Sequence, residues 1–185
     1  EFVCFNAKEI ECLRTAGIRN SNFVARLGPD LIADAPAIGE LVQRSRAIAE
    51  PQAPLADLLL DQRVACGVGN VYKSEVLFLE RCHPWMSLSE VDDRQLERLW
   101  TLAARLLRAN LGGGRRVTRD VHDGRGRLWV YGRSGLACLR CGRTRILARR
   151  MGVHHRQTYW CPRCQPGAPA QTGRSASALR RSPCA

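Results

Sequence analysis

The sequence predicts a mainly α-helical protein that ends in a small β-hairpin unit built around four cysteines. Apolar residues on either side of a glycine-containing turn at positions 67–70 indicate two helices, and apolar residues between positions 96 and 107 recur at helical spacing. Further along the chain, cysteines occur as two C-x-x-C pairs. The chain of 185 residues is long enough for one modest domain or two small ones.

The chain is strongly basic, with a formal net charge of +12. Arginine supplies almost all of the positive charge, because lysine occurs only at Lys8 and Lys73. The segment 111–165 carries 13 arginines against two acidic residues, Asp120 and Asp123. So one-sided a balance in a short segment favours a polyanionic partner, nucleic acid in particular, over a merely solvated surface.

Hydrophobicity and cysteine usage indicate the compartment. No apolar run approaches the roughly 18 residues that a membrane-spanning helix needs, and no signal peptide is apparent. The cysteines outside the two pairs are scattered and odd in number, which is typical of a reducing compartment rather than of a secreted disulfide framework. We therefore expect an intracellular protein of the cytoplasm or nucleoid, monomeric and without a membrane partner.

The first helix is expected after a turn-rich connector. Residues 2–5 resemble a strand, and the connector follows at residues 26–30. A helix is expected from Pro36 to Glu50, because proline is tolerated in a first turn and the apolar residues give the segment a partial apolar face. Two further prolines close this helix.

The turn Gly67-Val68-Gly69-Asn70 is the most informative local feature. An apolar run upstream of it ends at Leu60, and the apolar spacing downstream suits a second helix. Glycines take positive φ without steric cost and leave amide N–H groups exposed where the helix dipole favours an anion. Asn70 stands where a helix cap or a phosphate contact is placed, and a plain αα-turn with Asn70 as its N-cap is the alternative interpretation.

Glu75 falls on the apolar side of this second helix, four residues after Val71 and three after Tyr72. A buried carboxylate must find hydrogen-bond donors. The carboxylate is therefore either a catalytic acid or a structural acceptor that holds the amides of the turn. The structural interpretation is favoured, because most buried polar groups serve as hydrogen-bond partners.

A long amphipathic helix is predicted next. Ser87 and Glu90 have the spacing of a capping box. The apolar stripe of the helix has offsets 0, 3, 4, 7, 10 and 11 and consists of Leu96, Leu99, Trp100, Ala103, Leu106 and Leu107. Core packing accounts for Trp100 better than a redox or cofactor role does.

After this helix the composition changes. Three glycines at positions 112–114 end the helix and predict a domain hinge. Residues 115–127 lack apolar periodicity, which predicts a mobile basic loop. Residues 128–131 are aromatic and β-branched, which predicts a short strand.

The paired cysteines predict a metal site. Cys138 and Cys141 form one pair, Cys161 and Cys164 form the other, and 19 residues separate the pairs. This spacing is typical of a Cys4 zinc site, in which four thiolates complete a tetrahedron and leave no open position. We therefore expect one structural zinc ion that supports a segment with little apolar surface of its own. A thioredoxin-like redox pair would need a βαβ setting, which the sequence lacks.

Between the cysteine pairs the pattern predicts a β-hairpin. Residues 146–151 and 158–160 alternate sufficiently to form its strands, with Gly152 in the turn. His154 and His155 lie near its tip, but four cysteines already saturate a tetrahedral zinc ion, so neither histidine is expected to be a ligand.

Three stretches of sequence resemble parts of a known family of DNA repair enzymes. The string LLDQRVACGVGNVYKSEVLF resembles the helix–two-turn–helix of the formamidopyrimidine-DNA glycosylase/endonuclease VIII family, and the strings VYGRSGLACLRCG and RQTYWCPRCQ resemble its C-terminal zinc finger. The resemblance covers roughly residues 25–165. It implies base-excision repair of oxidised bases in double-stranded DNA by a bifunctional DNA glycosylase/AP lyase, a hydrolase and lyase.

The resemblance also implies roles for individual residues. Asn70, in a loop shaped by Gly67 and Gly69, would hold phosphates beside the lesion. Arg156, five residues before the third cysteine, would grip the phosphates that flank it. In many members this arginine is described as the proton donor for δ-elimination. Because a guanidinium stays protonated, electrostatic stabilisation is favoured over proton donation. Lys73 is expected to be a phosphate contact or a surface charge.

The nucleophile of the family, an N-terminal proline that forms a Schiff base, has no counterpart at Glu1 and Phe2. We therefore expect the DNA-binding C-terminal part of a glycosylase/AP lyase, which by itself binds DNA without catalysis. The alternative is a non-enzymatic zinc-ribbon module that binds nucleic acid. The expected divisions are residues 1–34 (remnant of a β-sandwich and linker), 35–112 (helix–two-turn–helix domain), 113–165 (basic loop and zinc finger) and 166–185 (disordered tail).

Overall fold

The computed structural model describes residues 24–33, 37–112, 114–152 and 155–167. Within these ranges the chain forms four α-helices and one two-stranded sheet, in the order α1 (Ile38–Ile48), α2 (Leu55–Leu58), α3 (Asn70–Leu79), α4 (Asp93–Arg108), β1 (Leu147–Met151) and β2 (Arg156–Trp160). The predicted order of a helical domain and a hairpin unit is confirmed. The description "mainly α" holds only as far as α4, because the described residues beyond it form turns, bends and the small sheet.

Several predictions concern residues outside the described ranges. These are the strand at residues 2–5, the role of Pro36 in the first turn, His154, and the tail beyond residue 167. The proposed domain boundaries also remain predictions. Of the helices that the structure describes, none is both long and apolar enough to cross a membrane.

The core of the helical domain lies between α1, α3 and α4. The predicted apolar stripe of α4 is buried along its whole length, as expected from its spacing. Trp100 is completely buried, and its Nε1 donates a hydrogen bond to Oγ of Ser45 at 3.0 Å. The Ser45 hydroxyl in turn donates to the carbonyl of Leu41 at 2.7 Å. The indole ring is buried in the apolar core and its N–H has a hydrogen-bond acceptor, so the core role of Trp100 is confirmed.

The capping box is present, but it closes a different element from the one predicted. Both reciprocal bonds between Ser87 and Glu90 form, and they close a 3-10 turn at Leu88–Glu90. Helix α4 begins later and is capped by Asp92, whose carboxylate accepts a hydrogen bond from the amide of Gln95 at 2.7 Å. Aspartate is an equally good N-cap residue, so two successive caps guide the chain into α4.

The glycine turn joins the one-turn helix α2 to α3. Gly67 has φ of +108°, a conformation that side chains with a Cβ disfavour. Gly69 occupies the N-cap position and Asn70 is the first residue of α3, without a side-chain cap bond. The interpretation of Asn70 as the N-cap is therefore wrong. Its side-chain amide instead donates to the carbonyl of Gln157 in β2 at 2.8 Å.

Residues 128–131 do not form the predicted strand. They form a bend in which the successive amides of Trp129, Val130 and Tyr131 each donate to the carboxylate of Glu75, all at 2.8 Å. These amides would otherwise need a neighbouring strand as their acceptor. A single side chain thus replaces the strand partner that the aromatic and β-branched composition suggested.

The basic segment 115–127 contains neither helix nor strand, as predicted, but it has internal anchors. Thr118 donates its hydroxyl proton to Glu75. Arg119 is only 6% exposed and forms a two-pronged ion pair with Asp123, with one contact at 2.7 Å. The Thr118 bond ties the segment to helix α3, whereas the Arg119–Asp123 pair braces the segment internally.

The predicted hairpin is confirmed. Strands β1 and β2 are antiparallel, with Leu147 opposite Trp160 and Met151 opposite Arg156. Gly152 lies in the turn with φ of +69°, and a Cβ at this position would collide with the carboxylate of Asp57 in α2. The hairpin therefore lies directly against the helical domain at its tip.

Candidate zinc site and nucleic-acid interface

The four paired cysteines converge on one point. All four Sγ atoms of Cys138, Cys141, Cys161 and Cys164 lie within 4.8 Å of one another. The sulfurs of Cys138 and Cys164 are 3.8 Å apart, as are those of Cys141 and Cys161. Zinc–sulfur bonds of about 2.3 Å in a regular tetrahedron place sulfurs about 3.8 Å apart, so the cluster fits one zinc ion.

The hydrogen bonds around Cys141 suit a thiolate ligand, whereas burial is the main cause of the raised pKa of Cys138 and of Cys164. Burial alone would raise the pKa of Cys141, but hydrogen bonds from the amides of Arg143 and Thr144 and from the Thr144 hydroxyl bring it down to about 6. The amide of Cys164 points at the sulfur of Cys161 at 3.4 Å, as in metal-binding knuckle turns. Four sulfur ligands close the coordination shell, so the zinc ion is structural and has no position for a substrate.

The zinc unit packs on α3 through a second apolar cluster. Phe78 of α3 is buried in this cluster with Val130, Ile146 and two of the cysteines. The guanidinium of Arg140 lies 4.2 Å from the centroid of the Phe78 ring and donates to the Phe78 carbonyl at 2.9 Å. The position of the zinc ligands is therefore coupled to helix α3, which carries Asn70 at its other end.

Strand β2 is joined to α3 by three hydrogen bonds, which we call the α3–β2 seam. The bonds run from Asn70 Nδ2 to the carbonyl of Gln157 at 2.8 Å, from Lys73 Nζ to Oγ1 of Thr158 at 2.7 Å, and from the amide of Tyr159 to Oγ of Ser74 at 3.4 Å. Residues 70, 73 and 74 share one face of the helix. The seam places Arg156, the first residue of β2, next to the start of α3.

Arg156 and Asn70 are the two predicted phosphate contacts that the structure brings together. Arg156 is exposed and Asn70 is partly exposed. Only one of the two protons on Nδ2 of Asn70 is needed for the bond to Gln157, so the other remains for a ligand. The Oδ1 atom of Asn70 is buried and has no partner among the described residues.

Lys73 lies in a different environment from the one predicted. Its side chain is completely buried, so the expectation of a surface charge is wrong and a direct phosphate contact does not fit. Burial lowers the pKa of Lys73 from 10.5 to about 8, an effect that Asp57 opposes and Arg156 reinforces. A phosphate could reach this amine only if the hairpin moved away.

Glu75 acts as the structural acceptor that was favoured over a catalytic acid. It is completely buried and accepts four hydrogen bonds, from Thr118 and from the three amides of residues 129–131. The prediction placed its donors in the turn before α3, and this detail is wrong. All four donors follow α4 in the chain, so Glu75 connects the helical domain to the segment that leads into the zinc unit.

Two clefts lie near the α3–β2 seam. One, of about 550 Å³, is lined by Arg63 and Arg156 and also by Asp57 and Asp61. A second cavity, of about 570 Å³, has an apolar floor of Val71, Leu128 and Tyr131. Its walls carry four arginines and no acidic residue, and none of these arginines forms an ion pair within the part of the chain that the structure describes; they are Arg115, Arg116, Arg127 and Arg133.

Comparisons with known proteins identify both units. Residues 27–121 match the formamidopyrimidine-DNA glycosylase H2TH domain, the helix–two-turn–helix. Residues 135–167 match the zinc finger found in formamidopyrimidine-DNA glycosylase (Fpg) and isoleucyl-tRNA synthetase. The first match alone covers more than half of the chain. The chain belongs to the formamidopyrimidine-DNA glycosylase/endonuclease VIII family.

Curated members of the family are similar over most of the chain. A probable endonuclease 8 2 of Streptomyces coelicolor is 41% identical over 175 residues, which are 93% of this chain and 61% of the relative. Endonuclease 8 2 of Mycobacterium tuberculosis is 44% identical over 145 residues, 77% of this chain and 53% of the relative. The chain therefore spans between half and two thirds of the length of these relatives.

Solved structures of the family have the same fold. MutM (Fpg) of Thermus thermophilus superposes with a TM-score of 0.69 at 31% identity, over 85% of this chain and 60% of that one. Fpg of Lactococcus lactis, solved in non-covalent complex with DNA that contains an AP site, superposes with a TM-score of 0.64 at 25% identity, over 83% of this chain and 55% of that one. The helical domain and the zinc finger thus keep the arrangement seen in the family.

Sequence reasoning missed two residues of this arrangement. Gln157 and Thr158 supply the β2 side of the α3–β2 seam, and neither stands out by residue type. The available signal was Lys73 itself, since a lone lysine among apolar helix neighbours must bury its amine or turn away from the core. A buried amine needs a hydrogen-bond acceptor, and for Lys73 that acceptor comes from outside the helix.

Proposed function

We propose that this protein acts in base-excision repair, as a DNA glycosylase/AP lyase that removes oxidised bases from double-stranded DNA. The described residues would bind DNA that carries a damaged base or an abasic site. One observation carries the proposal: Asn70 donates a hydrogen bond to the carbonyl of Gln157, the residue after Arg156, which places the backbone of Arg156 near the partly exposed start of α3. A helix start with free amides, an amide side chain and a guanidinium together suit a DNA phosphate.

The charge distribution supports the same partner. The cavity with four arginines lies beside Val71, the neighbour of Asn70, so the positive surface continues from the start of α3 toward the basic segment. Enzymes that act on bases in a duplex extrude the nucleotide into a pocket. An apolar floor with guanidinium walls suits a base together with its phosphate. Arginine stacks on flat rings and also forms bidentate hydrogen bonds with phosphate oxygens.

The described residues contribute binding and electrostatic stabilisation rather than the covalent step. Schiff-base chemistry needs an unprotonated amine at the sugar. Lys73 carries the one side-chain amine within the described ranges, and it is buried against Thr158. The guanidinium of Arg156 would stabilise the negative charge of the phosphates and of the leaving group during elimination.

Equilibrium binding tests the proposal directly. Two duplexes of the same sequence would be compared, one undamaged and one with a stable abasic-site analogue. We expect tighter binding to the abasic duplex, and weaker binding after Arg156→Ala or Asn70→Ala. Arg105→Ala, which removes an exposed arginine of α4 in a cleft lined by Glu80 and Glu97, is the matched control and should bind as the unchanged protein does. Equal affinity of all variants would contradict the assignment of this surface.

A further inference from the structure

We propose that Lys73 and Thr158 are positioning residues that hold Arg156 in register with Asn70, so that the two groups engage the DNA backbone as one unit. The inference rests on the phosphate-binding role proposed above for Asn70 and Arg156. It assigns a role to a buried amine and a buried hydroxyl that neither the zinc site nor the proposed phosphate contacts of Asn70 and Arg156 use.

The geometry forms a continuous path from helix α3 to the backbone of Arg156. Lys73 Nζ donates to Thr158 Oγ1 at 2.7 Å, and this hydroxyl donates a long, weak hydrogen bond of 3.4 Å to the carbonyl oxygen of Arg156. From the other side, Asn70 Nδ2 donates to the carbonyl of the next residue, Gln157, at 2.8 Å. Two consecutive carbonyls at the start of β2 are thus held from α3, one through a hydroxyl and one directly.

The cost of burying Lys73 argues for a specific role. Lys73 and Thr158 are both 0% exposed, and desolvation disfavours the ammonium form. The charged groups that act on the amine are Asp57 from α2, which favours the ammonium, and Arg156 from β2, which disfavours it. An apolar residue would pack between α3 and β2 without this penalty. It would not, however, orient the hydroxyl of Thr158 toward the Arg156 carbonyl.

Positioning of this kind affects affinity because binding restricts flexible side chains. An arginine whose backbone is already fixed loses less conformational freedom when it engages a phosphate. Arg156 is exposed at its guanidinium while its carbonyl is held, so the restraint acts on the base of the side chain and leaves the charged group accessible.

The experiment combines matched substitutions at Thr158 with a double-mutant cycle. Thr158→Val removes the hydroxyl and keeps the shape, whereas Thr158→Ser keeps the hydroxyl. Lys73→Met with Thr158→Val removes both polar groups, so that no unpaired ammonium remains buried; the unfolding temperature shows whether folding is preserved. Each variant is made with and without Arg156→Ala, and its affinity for the abasic-analogue duplex is measured alongside its zinc content and unfolding temperature.

We expect Thr158→Val and the Lys73→Met/Thr158→Val pair to weaken DNA binding about three- to thirtyfold, which lies within the range of coupling between residues in contact. Thr158→Ser should stay within about twofold of the unchanged protein. In the Arg156→Ala background the same substitutions should have no further effect, because there is no guanidinium left to position.

Three outcomes overturn the inference. Normal affinity of both Thr158→Val and the double variant, when Arg156→Ala itself weakens binding, leaves the proposed function intact and refutes positioning. Equal losses with and without Arg156 show that the pair only supports the fold. If Arg156→Ala has no effect, the proposed role of Arg156 fails first, and positioning fails with it.

Discussion

The carboxylate of Glu75 accepts a hydrogen bond from the amide of Val130 at 2.8 Å, across 55 positions of the chain. The two residues are both completely buried. Their hydrogen bond joins the middle of α3 to the segment that leads into the zinc unit. In the chain, this segment follows the long helix α4. This contact makes the helical domain and the zinc unit dependent on one another.

Glu75→Gln should destabilise the protein by about 2–4 kcal/mol, because the glutamine NH2 group would face donors where an oxygen now accepts them. Chemical denaturation followed by circular dichroism measures the change. Glu97→Gln, on the exposed face of α4, is the control and should be neutral. A stability loss no greater than that of the control would show that the four bonds to Glu75 matter little.

Metal analysis of the purified protein should give about one zinc ion per chain. Replacing both Cys161 and Cys164 by serine should abolish zinc binding, since two remaining thiolates cannot hold a structural ion. Cys66→Ser, which changes a cysteine outside the cluster, should leave the zinc content unchanged. If the double variant kept its zinc, the four-cysteine assignment would be wrong.

Affinity for duplex DNA should fall steeply with salt, because phosphate contacts release counterions. Arg156→Ala should lower the slope of log affinity against log salt by roughly one unit. Asn70→Ala should weaken binding with little change of slope, because an amide carries no charge. The measurement is a binding titration at several salt concentrations. Identical slopes for the unchanged protein and Arg156→Ala, with zinc retained, would place Arg156 away from the phosphates.

The helical domain and the zinc unit should form a Schiff base with abasic DNA only slowly. The amine of Lys73 is buried, and loss of positioning can raise a barrier by roughly 7–11 kcal/mol at the extreme. Borohydride trapping on an abasic duplex measures the reaction, with a full-length family member as positive control. Trapping as fast as in that control, and its loss in Lys73→Ala, would identify Lys73 as a nucleophile after all.

Lys73 should make stability depend on pH. Its pKa is lowered to about 8 in the folded protein from its ordinary 10.5, so between these values the unfolded chain binds more protons. The free energy of unfolding, compared with that of Lys73→Met, should therefore rise with pH across this window by about 1–3 kcal/mol. Urea denaturation at several pH values measures it. A difference that stays constant from pH 7 to 10.5 would show that the amine is not desolvated.

Local patterns were sufficient for the zinc ligands and for helix α4. The cysteine spacing determines a tetrahedral site almost without regard to the rest of the fold, and the α4 stripe follows from helical periodicity alone. The hairpin was predicted for the same reason, since its strands are neighbours in sequence and joined by Gly152.

The partners of polar residues in α3 could not be predicted in this way. Glu75 finds its donors 43 to 56 positions further along the chain, and Lys73 finds Thr158 85 positions away. Helical periodicity indicated that Glu75 was buried, but not which amides it would meet. The strand expected at residues 128–131 failed for the same reason, because its composition suited burial while its hydrogen bonds went to a side chain.

If the protein binds DNA as proposed, the α3–β2 seam also constrains the shape that the DNA must adopt. If Asn70 and Arg156 are held in one register, the protein has little freedom to follow the backbone of a straight, stiff duplex. The DNA must then deform to fit the protein, and this deformation costs less free energy where base stacking is already interrupted. A nick, a mismatch or a missing base would therefore be recognised in part because the DNA is easier to deform there, before the protein contacts any group of the damaged nucleotide.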